Sequence, residues 1–202
     1  MTQSDPIAGA QISGEEPRFP QLKLDQLSGQ QRAVAEEVLK ISRVGLGGPH
    51  NPLLRSPVMY ERMLRLFDYL RFNTSVPRRL NEFAILIQAR LWTSQVEWFA
   101  HYPLALQAGL SEAVAADLKE GRRPASMQPD EAVVYDLCME LSTKRAVSDS
   151  TFRKAKEMLG EQQIVDLVVV SGMYVMIAMV LSAAEESVPA GNPPPLQALP
   201  VR

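Results

Sequence analysis

Apolar residues recur at intervals of three and four along most of the chain between residues 28 and 186. In the stretch after Ser56, for example, Met63, Phe67 and Leu70 fall on one face of a helix. The sequence lacks the alternation of apolar and polar residues that is typical of half-buried strands, and it lacks Asn-Gly and Asp-Gly hairpin pairs. The pattern therefore predicts an all-α domain of seven or eight helices.

Capping and helix-breaking residues indicate where these helices begin and end. Ser28 precedes an apolar stripe as an N-cap, and Ser56-Pro57 and Pro77 open two later helices. Glycine or proline cannot continue a helix at several other points. Boundaries of this kind are predicted at residues 45–49, Gly109, Gly121, Pro129 and Gly160, and caps that begin a helix are predicted at Ser111 and at Ser148 or Asp149.

The last predicted helix, about Glu161 to Glu186, contains eighteen residues without a charge, from Leu167 to Ala184. That length reaches the threshold for a membrane span. However, Asp166 adjoins the run, and the flanks are acidic rather than basic. We therefore expect a helix that is central to the core or shared between subunits. A homo-oligomer without a membrane contact follows from this interpretation.

The two ends of the chain differ in composition from the helical part. Residues 1–20 are polar, with scattered glycine and proline, and predict an N-terminal arm that is mobile or that orders only against a neighbouring subunit. Residues 188–202 are rich in proline and predict an extended or disordered tail. The helical domain is thus expected to span residues 21–187.

Charge and cysteine usage exclude several classes of function. The net charge of −2 offers no electrostatic footprint for nucleic acid or for an anionic membrane. The single cysteine, Cys138, excludes an intrachain disulfide and a Cys-x-x-Cys site, and it lies in an apolar run that predicts core packing. Residues 1–19 lack the basic start and apolar centre of a secretory signal, so a cytoplasmic location is expected.

The segment from Leu80 to His101 holds the ionisable groups that best fit chemistry. Glu97 and His101 are four residues apart, so on a helix they lie one turn from each other. A carboxylate beside an imidazole would orient the ring and raise its pKa, which suits general acid–base catalysis. The alternative is a capping box of Ser94 and Glu97, in which the carboxylate only caps the helix.

Glu82 is a second carboxylate in this segment, and it stands among apolar residues. If its side chain points inward it must be paired or protonated, because an isolated buried carboxylate is too costly. Arg90 follows two helical turns later on a similar face and is a candidate partner. Pro103 comes two residues after His101 and predicts a bend that makes room beside the histidine.

The same segment resembles the superfamily of carboxymuconolactone decarboxylase and alkylhydroperoxidase D. Its peroxidase branch has a Glu, eleven residues, a Cys-x-x-Cys pair, three residues and a His. Glu82 and His101 keep that frame, whereas Ser94 and Glu97 occupy the two cysteine positions. The resemblance extends over roughly residues 53–184 and includes Ala-Leu-Gln-Ala-Gly-Leu-Ser at 105–111 and the segment 164–184.

The resemblance implies an oligomeric, alkylhydroperoxidase D-like helical bundle and a decarboxylase or lyase without cofactor or metal. The implied substrate is a small carboxylate or lactone, and loss of carbon dioxide from it would leave an enolate that needs a proton. In this hypothesis His101, held by Glu97, donates the proton, and Glu82 orients His101 or relays protons. The predicted substrate-binding residues are Arg71, Arg90, Trp98, Ser94 and the loop residue His50.

Two other functions stay open at this stage. One is the alkylhydroperoxidase activity of the wider family, which requires a thiolate and a resolving thiol that Ser94 and Glu97 cannot supply. The other is a non-catalytic binding or scaffold protein that keeps the fold.

Overall fold

The computed structural model describes residues 17–42 and 44–199, and within these ranges the chain is helical and has no β-strand. The predicted all-α fold of seven or eight helices is therefore confirmed. Residues 1–16 of the predicted N-terminal arm lie outside the described residues. The helices are α1 (Gly29–Ile41), α2 (His50–Leu53), α3 (Pro57–Asp68), α4 (Arg78–Leu91), α5 (Gln95–Gln107), α6 (Glu112–Lys119), α7 (Pro129–Met139) and α8 (Asp149–Ala184).

The helix boundaries follow from the residues that predicted them. The Ser28 hydroxyl accepts a hydrogen bond from the Gln31 amide, and the Gln31 side chain accepts one from the Ser28 amide, which is a complete capping box. Ser111 caps α6 in a similar way through the Val114 amide. Gly160 has a φ of 77°, which interrupts α8 where the sequence predicted the end of one helix.

The described chain divides into two compact units, and each has its own framework. Unit 1 contains residues 17–68 and 179–194. In this unit, α1 packs on α3. Asn51 fixes the segment that precedes α1, because its side chain donates to the Phe19 carbonyl at 2.9 Å and accepts from the Leu22 amide at 3.0 Å.

Unit 2 contains residues 69–178 and 195–199 and is organised around α4. Every residue from Leu80 to Arg90 is buried, and α4 packs on α5, α6 and α7. Arg79 lies in the first turn of α4, where a cation opposes the helix dipole, and it forms ion pairs with Asp130 and Glu131 at the start of α7. These pairs tie the beginning of α4 to α7.

A π-helical turn, Tyr69–Asn73, lies in unit 2 before α4. Asp166 of α8 holds both ends of this turn, because its Oδ2 accepts hydrogen bonds from Tyr69 at the beginning and from Thr74 and Ser75 just after the end. Burial by itself would raise the pKa of Asp166, but these hydrogen bonds outweigh it and hold the pKa below its ordinary value. The turn is therefore fixed on α8 by an ionised carboxylate.

Helix α8 is long and apolar enough to cross a membrane by length and composition, a property that core helices of soluble proteins share. About half of its most apolar window, 56%, is buried. Leu167, Val170 and Tyr174 lie in the core, while Val165 and Val168 are exposed. The helix is thus central to the packing, as expected, and also presents an apolar face.

We predict that this exposed face of α8 contributes to a homo-oligomer, because large hydrophobic surfaces are typical of permanent subunit interfaces. Val165→Glu should lower the mass measured by sedimentation equilibrium, since an unpaired charge weakens such an interface. Ser150→Glu adds the same charge at an exposed polar position of α8 and should leave the mass unchanged. A wild-type protein that sediments as a stable monomer at micromolar concentration would contradict the prediction.

Candidate functional site

Helices α4 and α5 bring Glu82 and His101 together although they are nineteen residues apart in sequence. A short turn joins the two helices, and Thr93 in this turn has a φ of 49°, which lets the chain reverse. Helix α5 then packs along α4. As a result, Nδ1 of His101 lies 2.7 Å from Oε2 of Glu82, and both side chains are buried.

This hydrogen bond sets the state of the imidazole ring. When the Glu82 carboxylate accepts the bond, Nδ1 of His101 carries the donating proton, and Nε2 is the nitrogen left to exchange a proton with a ligand. The ring of Tyr174 from α8 packs edge-on against the His101 ring, with 4.9 Å between the centroids and 87° between the planes. Together, Glu82 and Tyr174 orient the imidazole.

The pKa of His101 is lowered, contrary to the expectation that a neighbouring carboxylate raises it. Burial is the main cause, because it disfavours the charged imidazolium, and the positive charge of Arg71 acts in the same direction. Glu82 does raise the pKa, but by less than burial lowers it. His101 is therefore mainly neutral at pH 7.

Neither of the two interpretations of Glu97 from the sequence describes the structure. Among the described residues, neither carboxyl oxygen of Glu97 has a hydrogen-bond partner, so Glu97 does not hold His101. Ser94 occupies the N-cap position of α5, but its side chain makes no capping hydrogen bond. The partner of His101 is Glu82, on a different helix.

Burial raises the pKa of Glu97 to about 8. The nearby Ser94 hydroxyl acts in the opposite direction and lowers the pKa of Glu97 by a smaller amount. The Ser94 hydroxyl itself makes no hydrogen bond to any described residue. The Glu97 side chain is only 3% exposed, and its carboxyl group is therefore mostly protonated at pH 7.

Electrostatic interactions place Arg71, Glu82 and Glu97 near one tyrosine. The pKa of Tyr174 is raised, mainly by burial; the charge of Arg71 lowers it, while the carboxylates of Glu82 and Glu97 raise it. Arg71 also acts on His101, as described above. Arg71, Glu82, Glu97, His101 and Tyr174 thus form one cluster, which we call the Tyr174 cluster.

Sequence reasoning missed Tyr174, although a signal for it exists. Tyr174 is the only aromatic residue in the uncharged run Leu167–Ala184. A lone phenol in such a run has to place its hydroxyl somewhere in the core. Nothing in the sequence shows which residues meet it there.

Arg90 was predicted as a partner of Glu82 or of a substrate carboxylate, and the structure uses it otherwise. Its guanidinium donates hydrogen bonds to the carbonyls of Lys119 and Gln197 and to the Thr93 hydroxyl, at 2.8–3.2 Å. The side chain is buried and anchors part of the proline-rich tail. Burial is the main reason that its pKa is lowered.

The remaining predicted site residues occupy different surroundings. Trp98, a predicted substrate-binding residue, is buried and stacks on Tyr102 with 6.1 Å between the centroids, a contact typical of core packing. His50 belongs to unit 1, where it begins α2 rather than lying in a loop, and its Nδ1 is hydrogen-bonded to the Tyr60 hydroxyl. Within residues 17–42 and 44–199, no group of three or more metal-ligating side chains could hold a metal ion.

Two solved structures share this arrangement of helices. The first is described as an alkylhydroperoxidase AhpD core, an uncharacterized peroxidase-related protein from Ralstonia eutropha JMP134; it has a TM-score of 0.71 at 13% identity, over 89% of this chain and 95% of that chain. The second is an uncharacterized peroxidase-related protein from Silicibacter sp. TM1040, with a TM-score of 0.66 at 14% identity, over 95% of this chain and 96% of that chain. No family model and no curated protein matches the chain. At such low identity the likeness establishes the fold alone.

Proposed function

We propose that this chain, which has the alkylhydroperoxidase D-like fold, is a cofactor-independent acid–base enzyme related to carboxymuconolactone decarboxylase. Its substrate would be a small carboxylate or lactone. The observation that supports the proposal is the buried hydrogen bond between His101 and Glu82. A histidine that is oriented by a carboxylate and has one nitrogen left to exchange a proton is suited to proton transfer at carbon.

In the decarboxylase form of this chemistry, the substrate carboxylate lies beta to a carbonyl group or vinylogous to one. The bond between the carboxylate and the neighbouring carbon breaks, carbon dioxide leaves, and the electron pair passes to the carbonyl oxygen as an enolate. Nε2 of His101 first takes up a proton from solvent and then delivers it to the enolate carbon, so that the ring returns to its neutral form with the remaining proton on Nδ1. One substrate carboxylate and one proton thus give one product and one carbon dioxide.

Arg71 is the cation best suited to attract the substrate carboxylate. It is half-buried in the π-helical turn, and its charge reaches both His101 and Tyr174. π-Helical turns occur frequently at functional sites. Arg90 is directed to the carbonyls of Lys119 and Gln197 and to the Thr93 hydroxyl, and no described interaction links it to His101 or Tyr174.

The test is a panel of small 3-keto acids and carboxylated lactones, incubated with the protein in deuterated water. Carbon dioxide release together with one deuterium in the product is the expected result for an active member of the panel. His101→Asn should lower both signals by about 10²–10⁴-fold, and Ser150→Glu serves as a surface control. Turnover in His101→Asn at the wild-type rate would contradict the proposal.

Alkylhydroperoxidase activity is the second candidate function, because both similar structures are described as peroxidase-related. Cys138 is an unfavourable thiol for it. Cys138 is buried beside the Ser171 hydroxyl, at 3.6 Å, and burial raises its pKa to about 11, so little thiolate forms at neutral pH.

We predict that Cys138→Ser changes neither the helix content nor the turnover of the acid–base reaction. Serine is close in size to cysteine, and the Ser171 hydroxyl can pair with its hydroxyl group. Circular dichroism and a hydroperoxide reduction assay would check the prediction. Hydroperoxide reduction by the wild type that disappears in Cys138→Ser would favour the peroxidase instead.

A further inference from the structure

Glu97 has no task in the mechanism proposed above, yet it is held in the Tyr174 cluster. It lies on α5 one helical turn before His101. Its charge acts on Tyr174 of α8, which also packs against His101. The carboxyl group is buried, and both of its oxygens are without a hydrogen-bond partner among the described residues.

A buried polar group without a partner costs free energy unless a ligand or another polar group satisfies it. A protonated carboxyl has one O–H donor and a carbonyl acceptor. In an apolar site, a carboxylic acid that stays neutral at pH 7 can donate a strong hydrogen bond to an anionic oxygen. An anion that enters the site would give this donor a partner.

We propose that Glu97 is a neutral acid that donates a hydrogen bond to an anionic oxygen of the bound ligand. The ligand class is a small carboxylate or, on the basis of the proposed function, the enolate that forms from it. Glu97 is then a catalytic residue that stabilises the enolate oxygen, while His101 exchanges the proton at carbon. In this proposal Glu97 acts on the ligand directly, whereas the sequence predicted that it would act on His101.

The charges around the site require a proton to accompany the anion. Glu82 on α4 supplies a negative charge, Arg71 in the π-helical turn supplies a positive one, and His101 and Tyr174 have the shifted pKa values described above. An ionised Glu97 would add a second carboxylate next to the incoming anion. Like charges in a poorly solvated site repel strongly, so the anion binds when Glu97 is protonated.

Acetate is a suitable probe because it is small and stays ionised above about pH 6. We would follow its binding to the full chain by NMR of the labelled Glu97 carboxyl carbon, from roughly pH 6 to pH 10. Acetate should raise the pKa of Glu97, and its Kd should increase about tenfold for each pH unit above that pKa. A Glu97 that titrates in the ordinary range of glutamate, or a Kd independent of pH, would overturn the proposal.

Two substitutions of Glu97 sharpen the test. Glu97→Gln keeps an N–H donor without an ionisable group, so acetate should still bind, with a Kd that no longer rises with pH. Glu97→Ala lacks the donor and should bind acetate at least tenfold more weakly. Glu112→Gln removes an exposed carboxylate from the first turn of α6 and should behave as wild type. If the Kd of acetate still rises with pH in Glu97→Gln, another group causes the pH dependence, and this would overturn the proposal.

The acetate experiment is independent of catalysis. His101→Asn strongly lowers turnover if the proposed function is correct, but it leaves the Glu97 donor in place. Proton-linked acetate binding should therefore persist in His101→Asn. Loss of this binding in Glu97→Ala with turnover unchanged would show that Glu97 holds an anion without acting in the reaction, and this would overturn its catalytic assignment.

Discussion

Glu97→Gln should make the protein more stable at alkaline pH, by about 2–5 kcal/mol at pH 9 compared with wild type. The wild-type carboxyl has an ordinary pKa of 4.5 when unfolded and about 8 when folded, so the folded state binds the proton more tightly. Its contribution to stability is full below about pH 4.5 and is lost as the pH rises through about 8. Glutamine stays neutral and has no such loss.

Urea denaturation of both proteins between pH 5 and pH 9 would measure this difference in the free energy of unfolding. The two proteins should be similar near pH 5 and should diverge as the pH rises. Glu112→Gln, on the surface, provides the control and should follow wild type throughout. Parallel curves for wild type and Glu97→Gln would show that Glu97 is ionised in the folded protein.

His101→Asn should lower kcat about 10²–10⁴-fold on any substrate that the panel identifies, the usual contribution of a positioned acid–base group. Glu82→Gln should lower kcat as well, because the imidazole loses the carboxylate that fixes its tautomer. KM should change little in either variant, since Arg71 and Glu97 are kept. Steady-state kinetics in parallel with circular dichroism would separate lost chemistry from lost folding.

A His101→Asn variant with normal kcat and normal helix content would show that His101 has no part in the mechanism. Ser150→Glu is the matched control for expression and folding, because it changes an exposed position of α8 that is distant in sequence from the Tyr174 cluster. If Ser150→Glu loses as much kcat and helix content as His101→Asn, the loss would indicate a general effect on folding.

The helix boundaries were predictable from sequence because local chemistry decides them. Ser28 begins α1 with its own side chain, Pro57 begins α3, and Gly160 interrupts α8. Each of these residues acts within about one turn of its position, so no knowledge of the tertiary packing is needed.

The partner of His101 was not predictable in the same way. The spacing of Glu97 and His101 gives a neighbour on the same helix, but it does not say whether the two side chains meet. Glu82 reaches His101 only because α5 folds back on α4, which depends on packing between the helices. The frame of nineteen residues in the family resemblance contained both members of the pair, and it was a better guide than the local spacing.

The direction of the His101 pKa shift was also misjudged, for a reason of magnitude. The sequence shows that carboxylates are close by, but it does not show how deeply the ring is buried. In the folded chain, burial outweighs the effect of Glu82 on His101. Arg90 illustrates the same difficulty, since its position in sequence did not reveal that the tail residue Gln197 would accept its hydrogen bond.

NMR titration of the His101 ring in wild type, Glu82→Gln and Glu97→Gln tests most directly which carboxylate controls the histidine. In wild type, the pKa should lie below the ordinary value of 6.5, with the proton of the neutral ring on Nδ1. Glu82→Gln should lower this pKa further, because it removes a charge that stabilises the imidazolium. Glu97→Gln should leave the titration nearly unchanged, since Glu97 is already neutral at the pH where His101 titrates. A His101 pKa that falls in Glu97→Gln and stays constant in Glu82→Gln would contradict the Glu82–His101 pair as the centre of this site.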